Sequence, residues 1–238
     1  MSSKPFKFKQ FNIEQDQCAM KIGTDGVLLG AWSNIDHNPF SILDIGAGTG
    51  IVSLMLAQRS NSEVIDAIEI DDLAYEQCVS NFENSPWGDR LFCYHASFQE
   101  FAEEIDDKYD LIVSNPPFYT TQYKSENTQR DLARFEDALP FEHLIYGVSK
   151  LLEQSGKFII VIPFSEEQNF LRLAQELYLF PSKILRVKGN PRSEIKRSLI
   201  ELTFNNIDVN ISELIIETER HRYTTEYIEL TKDFYLKM

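Results

Sequence analysis

Apolar residues in this chain fall into short, almost unbroken runs separated by longer stretches with helical spacing. Ser41 to Ile45, Val64 to Glu69, Leu91 to His95, Asp110 to Val113 and Lys157 to Pro163 each read as a strand. Runs this short and this apolar suit strands covered on both faces, as in a parallel sheet. Between them Ile51, Leu54, Met55 and Arg59 recur at helical spacing, as do Tyr75, Cys78, Val79 and Phe82 after the cap candidates Asp71 and Asp72. Ser97 to Glu104 reads as a capped helix with an acidic outer face. Leu139 to Leu152 reads as a helix that ends at Gly156, and Ser165 as the cap of another reaching Leu177. Alternating strands and helices predict an α/β fold with helices on both faces of a mostly parallel sheet. The strands Ile184 to Val187 and Ser198 to Phe204 have no helix between them, so the last should run antiparallel. Seven strands are expected, with Leu214 to Glu217 as a candidate for edge pairing and Thr225 to Tyr235 as a final helix.

The first forty residues are less regular. Lys4, Lys7 and Lys9 interleave with Phe6, Phe8 and Phe11, which suits a solvated strand or a basic arm. Val27, Leu28, Ala31 and Trp32 then follow Thr24 and Asp25, either of which is a good N-cap. Lys21 to Asp25 reads either as the lead-in to that helix or as a loop over a ligand site.

Composition narrows the class. The chain has 238 residues, 43% of them hydrophobic and 25% charged, enough for one large domain with a full core. No apolar run approaches the roughly 18 residues of a membrane span, and the first residues lack the apolar core of a secretory signal. Three cysteines without a CxxC and four scattered histidines predict free thiols, a cytoplasmic location and no metal site. The net charge of −14 argues against coating nucleic acid by charge alone. Two basic clusters stand out: Lys188, Arg192, Lys196 and Arg197 in the turn before the last strand, and Lys124, Arg130 and Arg134 in the long polar stretch from Thr120 to Asp137. Both are candidate contacts for a polyanion, and both also fit solvated charged loops.

The candidate chemistry lies at strand ends. Asp110 to Val113 runs into Ser114-Asn115-Pro116-Pro117-Phe118. Prolines cannot continue a sheet ladder and hold the residue before them extended, so Asn115 is presented rigidly at a carboxyl strand end, where open α/β sheets bind ligands. An amide oxygen, a proline carbonyl and a nearby ring make a receptor for a planar group bearing an NH2. A strand-ending turn with an aromatic behind it is the plainer alternative. Asp44-x-Gly46-x-Gly48-x-Gly50 forms a strand, glycine turn and helix that brings backbone N–H groups close to a ligand. It departs from the dinucleotide fingerprint, because Ile51 stands where the third glycine belongs. Asp44 would repel a pyrophosphate and suit an ammonium. Glu69 ends the next strand, near the spacing at which an acid grips a ribose.

Taken together, Asp44-x-Gly46-x-Gly48-x-Gly50, Glu69 and Asn115-Pro-Pro-Phe118 resemble a class I S-adenosylmethionine-dependent methyltransferase that modifies amino groups. The stretches Lys21 to Trp32, Leu54 to Arg59, Ser85 to Trp87 and Phe234 to Met238 narrow the resemblance. They point to bacterial tRNA adenine-N(6)-methyltransferases that act beside the anticodon of valine tRNA. The resemblance implies a Rossmann-like fold, S-adenosyl-L-methionine as cofactor and tRNA as substrate. Residues 1–40 would be an arm and cap, and residues 41–238 the catalytic domain. It places Gly46, Gly48, Gly50 and Asp44 on the methionine half of the cofactor, Glu69 on the ribose, and Lys21 and Gly23 over the site. Ser97 stands where the family often has an acid facing the adenine. Asn115, Pro116, Pro117 and Phe118 would receive the target amine, with Asn115 also beside the cofactor. The alternative within enzymes is an N-methyltransferase acting on a protein glutamine or a small molecule. A non-catalytic RNA-binding module and a nicotinamide dehydrogenase are disfavoured by the intact acids and by the glycine pattern.

Overall fold

The computed structural model describes residues 4–117 and 139–238. Phe118 and the loop cations Lys124, Arg130 and Arg134 lie outside the described residues. The N-terminal segment forms a small hairpin, β1 (Phe6–Lys7) with β2 (Asn12–Ile13), and then helix α1 (Thr24–Trp32). The main unit follows as β3 (Ser41–Ile45), α2 (Ile51–Arg59), β4 (Val64–Glu69), α3 (Asp72–Glu83), β5 (Leu91–His95), α4 (Phe98–Glu104) and β6 (Tyr109–Ser114). After the undescribed stretch come α5 (Phe141–Leu151), β7 (Leu152–Pro163), α6 (Glu167–Glu176), β8 (Phe180–Lys188), β9 (Ile195–Thr203) and β10 (Asn210–Ile215). The chain closes with β11 (Glu217–Glu219), β12 (Arg222–Tyr223) and α7 (Thr225–Thr231).

The central sheet runs β10-β8-β9-β7-β6-β3-β4-β5, and only β9 is antiparallel to its neighbours. This is the doubly covered, mostly parallel sheet that the sequence predicts, with eight strands rather than seven. The extra strand is β10, which pairs parallel with β8 from Asn210 to Ile215. It starts before the expected edge segment at Leu214 because Asn210, Ile211, Ser212 and Glu213 are exposed, which hides the strand from an apolar-run reading.

The strands are apolar almost throughout because both sheet faces are covered. One face packs Val27, Leu28, Leu54, Met55, Val113 and Val161 with the N-terminal hairpin, α1, α2 and α7. The other packs Leu43, Ile112, Ile160 and Ile162 against α4, α5 and α6. Among the described residues no helix is long and apolar enough to cross a membrane.

Local signals held where a side chain could satisfy a helix end. Asp71 accepts from the Ala74 N–H to cap α3, and Ser97 with Glu100 forms a full capping box on α4. Three expectations fail. Helix α5 ends at Leu151 rather than at Gly156: Leu152 already pairs with Tyr109, and Gly156 sits in the bulge before Lys157 pairs with Leu111. A Cβ there would stand 3.0 Å from the carbonyl oxygens of both Glu153 and Tyr109, so the glycine serves close approach and not termination. Ser165 does not cap α6, because Pro163 leads into a 3-10 turn over Phe164–Glu166 that delivers the chain to Glu167. Neither Thr24 nor Asp25 caps α1: the N-cap is Gly23, and the Asp25 carboxylate is bonded to Arg197.

Candidate active site

Strand register gathers the predicted site residues at one edge. Ile45 pairs with Ser114 and Ile68 with Ile45, so the chain leaves β3 at Gly46, β6 at Asn115 and β4 at Glu69 side by side. All three strands are parallel, and this is their carboxyl edge.

The turn after β3 has φ values of +74° at Gly46, +55° at Gly48 and +78° at Gly50. L side chains rarely adopt that region. The three glycines differ in surroundings. A Cβ on Gly46 or Gly48 would meet nothing within 4 Å, whereas one on Gly50 would lie 2.5 Å from the Phe82 ring and 3.0 Å from Cys78 Sγ. The first two glycines therefore line open space, and the third is pressed against α3.

Two acids frame the turn. Asp44 is 1% exposed, and one of its oxygens accepts from both the N–H and the hydroxyl of Ser53, at 3.1 and 2.7 Å. Burial raises its pKa to about 6; the Ser53 hydrogen bonds oppose that rise, and the Glu69 charge adds to it. Glu69 holds the turn in shape: Oε2 accepts from the Gly48 N–H at 2.7 Å, and Oε1 from the Ile70 and Asp71 N–H groups at 2.9 and 3.0 Å.

Asn115 sits against Gly26 in the first turn of α1, as does Ile51, the first residue after the glycine turn. A Cβ placed on Gly26 would stand 3.7 Å from Asn115 Nδ2 and 3.2 Å from Ile51 Cγ2. The first turn of α1, the first residue of α2 and the Asn115 amide therefore meet at one point. Pro116 is buried and Pro117 exposed. Lys21 is exposed, and Gly23 opens α1. The segment before α1 does lie near Glu69: burial pushes the Cys18 thiol up to about 12, with the charges of Glu69, Asp71 and Asp16 adding to it. The Ser97 hydroxyl is occupied in its capping box, donating to Glu100 and accepting from the Glu100 N–H.

Sequence reasoning missed two residues that fasten the arm beside the glycine turn. Asn81 donates to the carbonyl oxygens of Thr49 and Glu14 and accepts from the Glu14 N–H. Gln77 accepts from the Gln17 N–H and donates to Asp16. The readable signal was two amides four residues apart on the buried face of α3, beside Cys78 and Phe82.

The basic turn between β8 and β9 divides. Lys188 pairs with Glu213 at 2.9 Å and Arg197 with Asp25 at 2.8 Å, while Arg192 and Lys196 are exposed. A second turn with basic side chains, unmarked in the sequence reading, stands next to it, with Arg222 paired to Glu219 at 3.6 Å. The β11–β12 hairpin carries Arg220, His221 and Arg222, and it docks through the Ile216 N–H to the Lys188 carbonyl and the Glu217 N–H to the Gly189 carbonyl.

Known proteins match this arrangement. The family model described as the methyltransferase small domain matches residues 26–178. A tRNA1(Val) (adenine(37)-N6)-methyltransferase from Flavobacterium johnsoniae is 62% identical over 98% of this chain and all of its own length. One from Christiangramia forsetii is 61% identical over the whole of both chains. Among solved structures, a predicted O-methyltransferase from Agrobacterium tumefaciens superposes with a TM-score of 0.69 at 16% identity, over 88% of this chain and 96% of its own, which speaks to the fold alone. With identity this high over the full length, and with the glycine turn, both acids and Asn115 brought to one sheet edge, the chain belongs to the tRNA1(Val) (adenine(37)-N6)-methyltransferase family, built on the class I methyltransferase fold.

Proposed function

We propose that this protein methylates the exocyclic 6-amino group of adenosine 37, beside the anticodon of valine tRNA, with S-adenosyl-L-methionine as methyl donor. The observation that carries the reading is the Asn115 amide standing beside the residue that follows the glycine turn. The names of relatives more than 60% identical supply the tRNA and the position.

The residues present fit the cofactor. Gly46 and Gly48 face open space that any side chain would fill. Asp44 is a buried carboxylate whose pKa burial raises, and a neighbouring ammonium would favour its charged form. Glu69 uses Oε1 and Oε2 on backbone N–H groups yet keeps acceptor capacity for ribose hydroxyls. When bound, S-adenosyl-L-methionine supplies a methyl group already activated by its sulfonium. The protein then has chiefly to place the nucleophile. An adenine amine is a weak nucleophile because its lone pair is delocalised into the ring. Hydrogen bonds from that amine to the Asn115 side-chain oxygen and the Pro116 carbonyl favour a pyramidal nitrogen with its lone pair directed outward. No strong base is required, since the proton becomes acidic once the nitrogen is alkylated. The base must leave its stack to reach this edge, and Phe118 is the ring the sequence offers to hold it.

The Asp44 carboxyl gives the binding step a pH dependence. Only its ionised form attracts the ammonium, so affinity is full above its pKa of about 6 and is lost as pH falls through that value. Titration calorimetry with S-adenosylhomocysteine should show affinity falling by up to about tenfold per pH unit below that point. Asn at position 44 should flatten the profile, and an unchanged profile in Asp44→Asn would assign the dependence elsewhere.

The overall reading is tested with labelled S-adenosyl-L-methionine and tRNA from a strain lacking this gene, with nucleosides mapped by mass spectrometry. N6-methyladenosine at position 37 of valine tRNA is the expected product. Label in protein or small molecules, with none in RNA, would favour the other N-methyltransferase reading. In the same assay Arg192→Ala with Lys196→Ala should weaken tRNA binding and lower the slope of log affinity on log salt by about 1 to 2. An unaltered slope would remove this turn from the RNA surface.

A further inference from the structure

At the end of β7, next to the catalytic strand, stands an aromatic ring that methyl transfer does not use. Phe164 follows Pro163 and is 36% exposed. Ser114 pairs with Ile160, and extending that register puts Pro163 beside Pro117. Phe164 therefore emerges at the carboxyl edge, one strand over from Asn115, on the β8–β9 side of the site. The Arg186 guanidinium lies over its ring, 5.4 Å from the centre.

That guanidinium is held with unusual firmness. Glu167, only 4% exposed, accepts from Arg186 Nη2 at 2.7 Å and from Nε at 3.2 Å, and also from the Ser198 hydroxyl. A carboxylate this buried is costly to keep without its partner. What it fixes here is a planar cation above a ring that stays partly exposed. The Arg186 Nη1 donors remain uncommitted among the described residues. A flat ring, a guanidinium in fixed orientation and spare N–H groups suit a nucleobase that stacks and a phosphate that accepts. The neighbours agree: β8 and β9 lead from Arg186 and Ser198 to the exposed cations Arg192 and Lys196.

We propose that Phe164 and Arg186, locked by Glu167 and Ser198, form a stacking step for the nucleotide next to the methylated adenosine. The inference rests on the RNA-methylation reading and adds a second base-binding position to it. Holding the neighbour outside its own stack stabilises the tRNA conformation in which the target base is extruded. Phe164 acts as a positioning residue and touches no reacting atom.

The test uses the full chain, a valine tRNA transcript and steady-state kinetics on Phe164→Leu and Phe164→Trp. Leu keeps apolar bulk and removes the ring; Trp restores a stacking face. The expected result is a rise in KM for tRNA of about tenfold in Phe164→Leu, with kcat, S-adenosylhomocysteine affinity and melting temperature unchanged, and recovery of KM in Phe164→Trp. If wild type methylates the transcript and Phe164→Leu has the same KM, the stacking step falls while the methylation reading stands. If Phe164→Trp is as impaired as Phe164→Leu, the ring serves packing and the proposal is overturned. A wild-type protein that methylates no tRNA removes both.

Discussion

Asn115→Ala should lower kcat by about 10²- to 10³-fold while leaving cofactor affinity close to wild type. On the proposed reading the amide belongs to the amine-receiving corner, whereas Asp44, Glu69 and the turn at Gly46 and Gly48 stand at the ends of other strands and are untouched by the change. Alanine keeps the backbone that Pro116 holds extended, so the Pro116 carbonyl stays in place and one of two acceptors is lost. Nothing then holds the nitrogen pyramidal or aims it, and a badly placed nucleophile is the costliest loss in a reaction whose electrophile is already activated. Single-turnover kinetics with labelled cofactor, alongside calorimetry with S-adenosylhomocysteine, separate the two quantities. Comparable losses in both would show that Asn115 shapes the cofactor site and does not select the amine.

Gly50→Ala and Gly48→Ala should fail for different reasons, although both residues have left-handed backbone. At Gly50 an added methyl group meets the Phe82 ring at 2.5 Å as well as Cys78. The left-handed conformation costs an L residue about 1–2 kcal/mol, and crowding a packed interior adds about 1–3 kcal/mol. Against a total stability of about 5–15 kcal/mol, the variant should melt well below wild type. At Gly48 the methyl group meets nothing, so only the backbone term applies, about 1–2 kcal/mol. Gly48→Ala should fold and yet bind S-adenosylhomocysteine poorly, because its methyl group projects into the cradle. Thermal melts and calorimetry on both proteins decide. Equal melting temperatures would mean that α3 yields to the intruding methyl group and that the turn is less tightly buttressed than its contacts imply.

The sheet was readable because strands covered on both faces must be apolar along their whole length, as Leu111 to Val113 and Phe158 to Ile162 are. The corner at Asn115 was readable because two prolines leave a strand no continuation. Ser97 to Glu104 was readable as a capped helix, and the structure supplies the cap as a full capping box of Ser97 with Glu100. What escaped depends on partners remote in sequence. Asp25 looks like a helix cap until Arg197, 172 residues away, takes its carboxylate. Gly156 looks like a helix end until Leu152 is seen to pair with Tyr109. Glu69 reads in the sequence as a candidate ribose acid; its grip on the Gly48 amide comes from the parallel register of β3 and β4, which no local pattern encodes. Only the end of β10, at Leu214, was anticipated as an edge segment, because Asn210 to Glu213 are exposed and lack the apolar signature that identified the other strands.

One feature of the N-terminal hairpin bears on biosynthesis. Phe8 bridges to Tyr235, and the Lys9 N–H donates to the Phe234 carbonyl, so the first aromatic residues are seated by nearly the last. Translation at about 5–20 residues per second separates those two ends by roughly 10–45 s. Through that interval the hairpin can rest on α1, α2 and Trp87 but lacks Phe234 and Tyr235, the residues that close over Lys9 and Phe8. Truncation after Ile215 and before Phe234 should thus yield products that keep every strand of the central sheet but lack the Phe8–Tyr235 bridge and the Lys9–Phe234 bond, leaving Phe6 and Phe8 more exposed, as handles for chaperones and proteases.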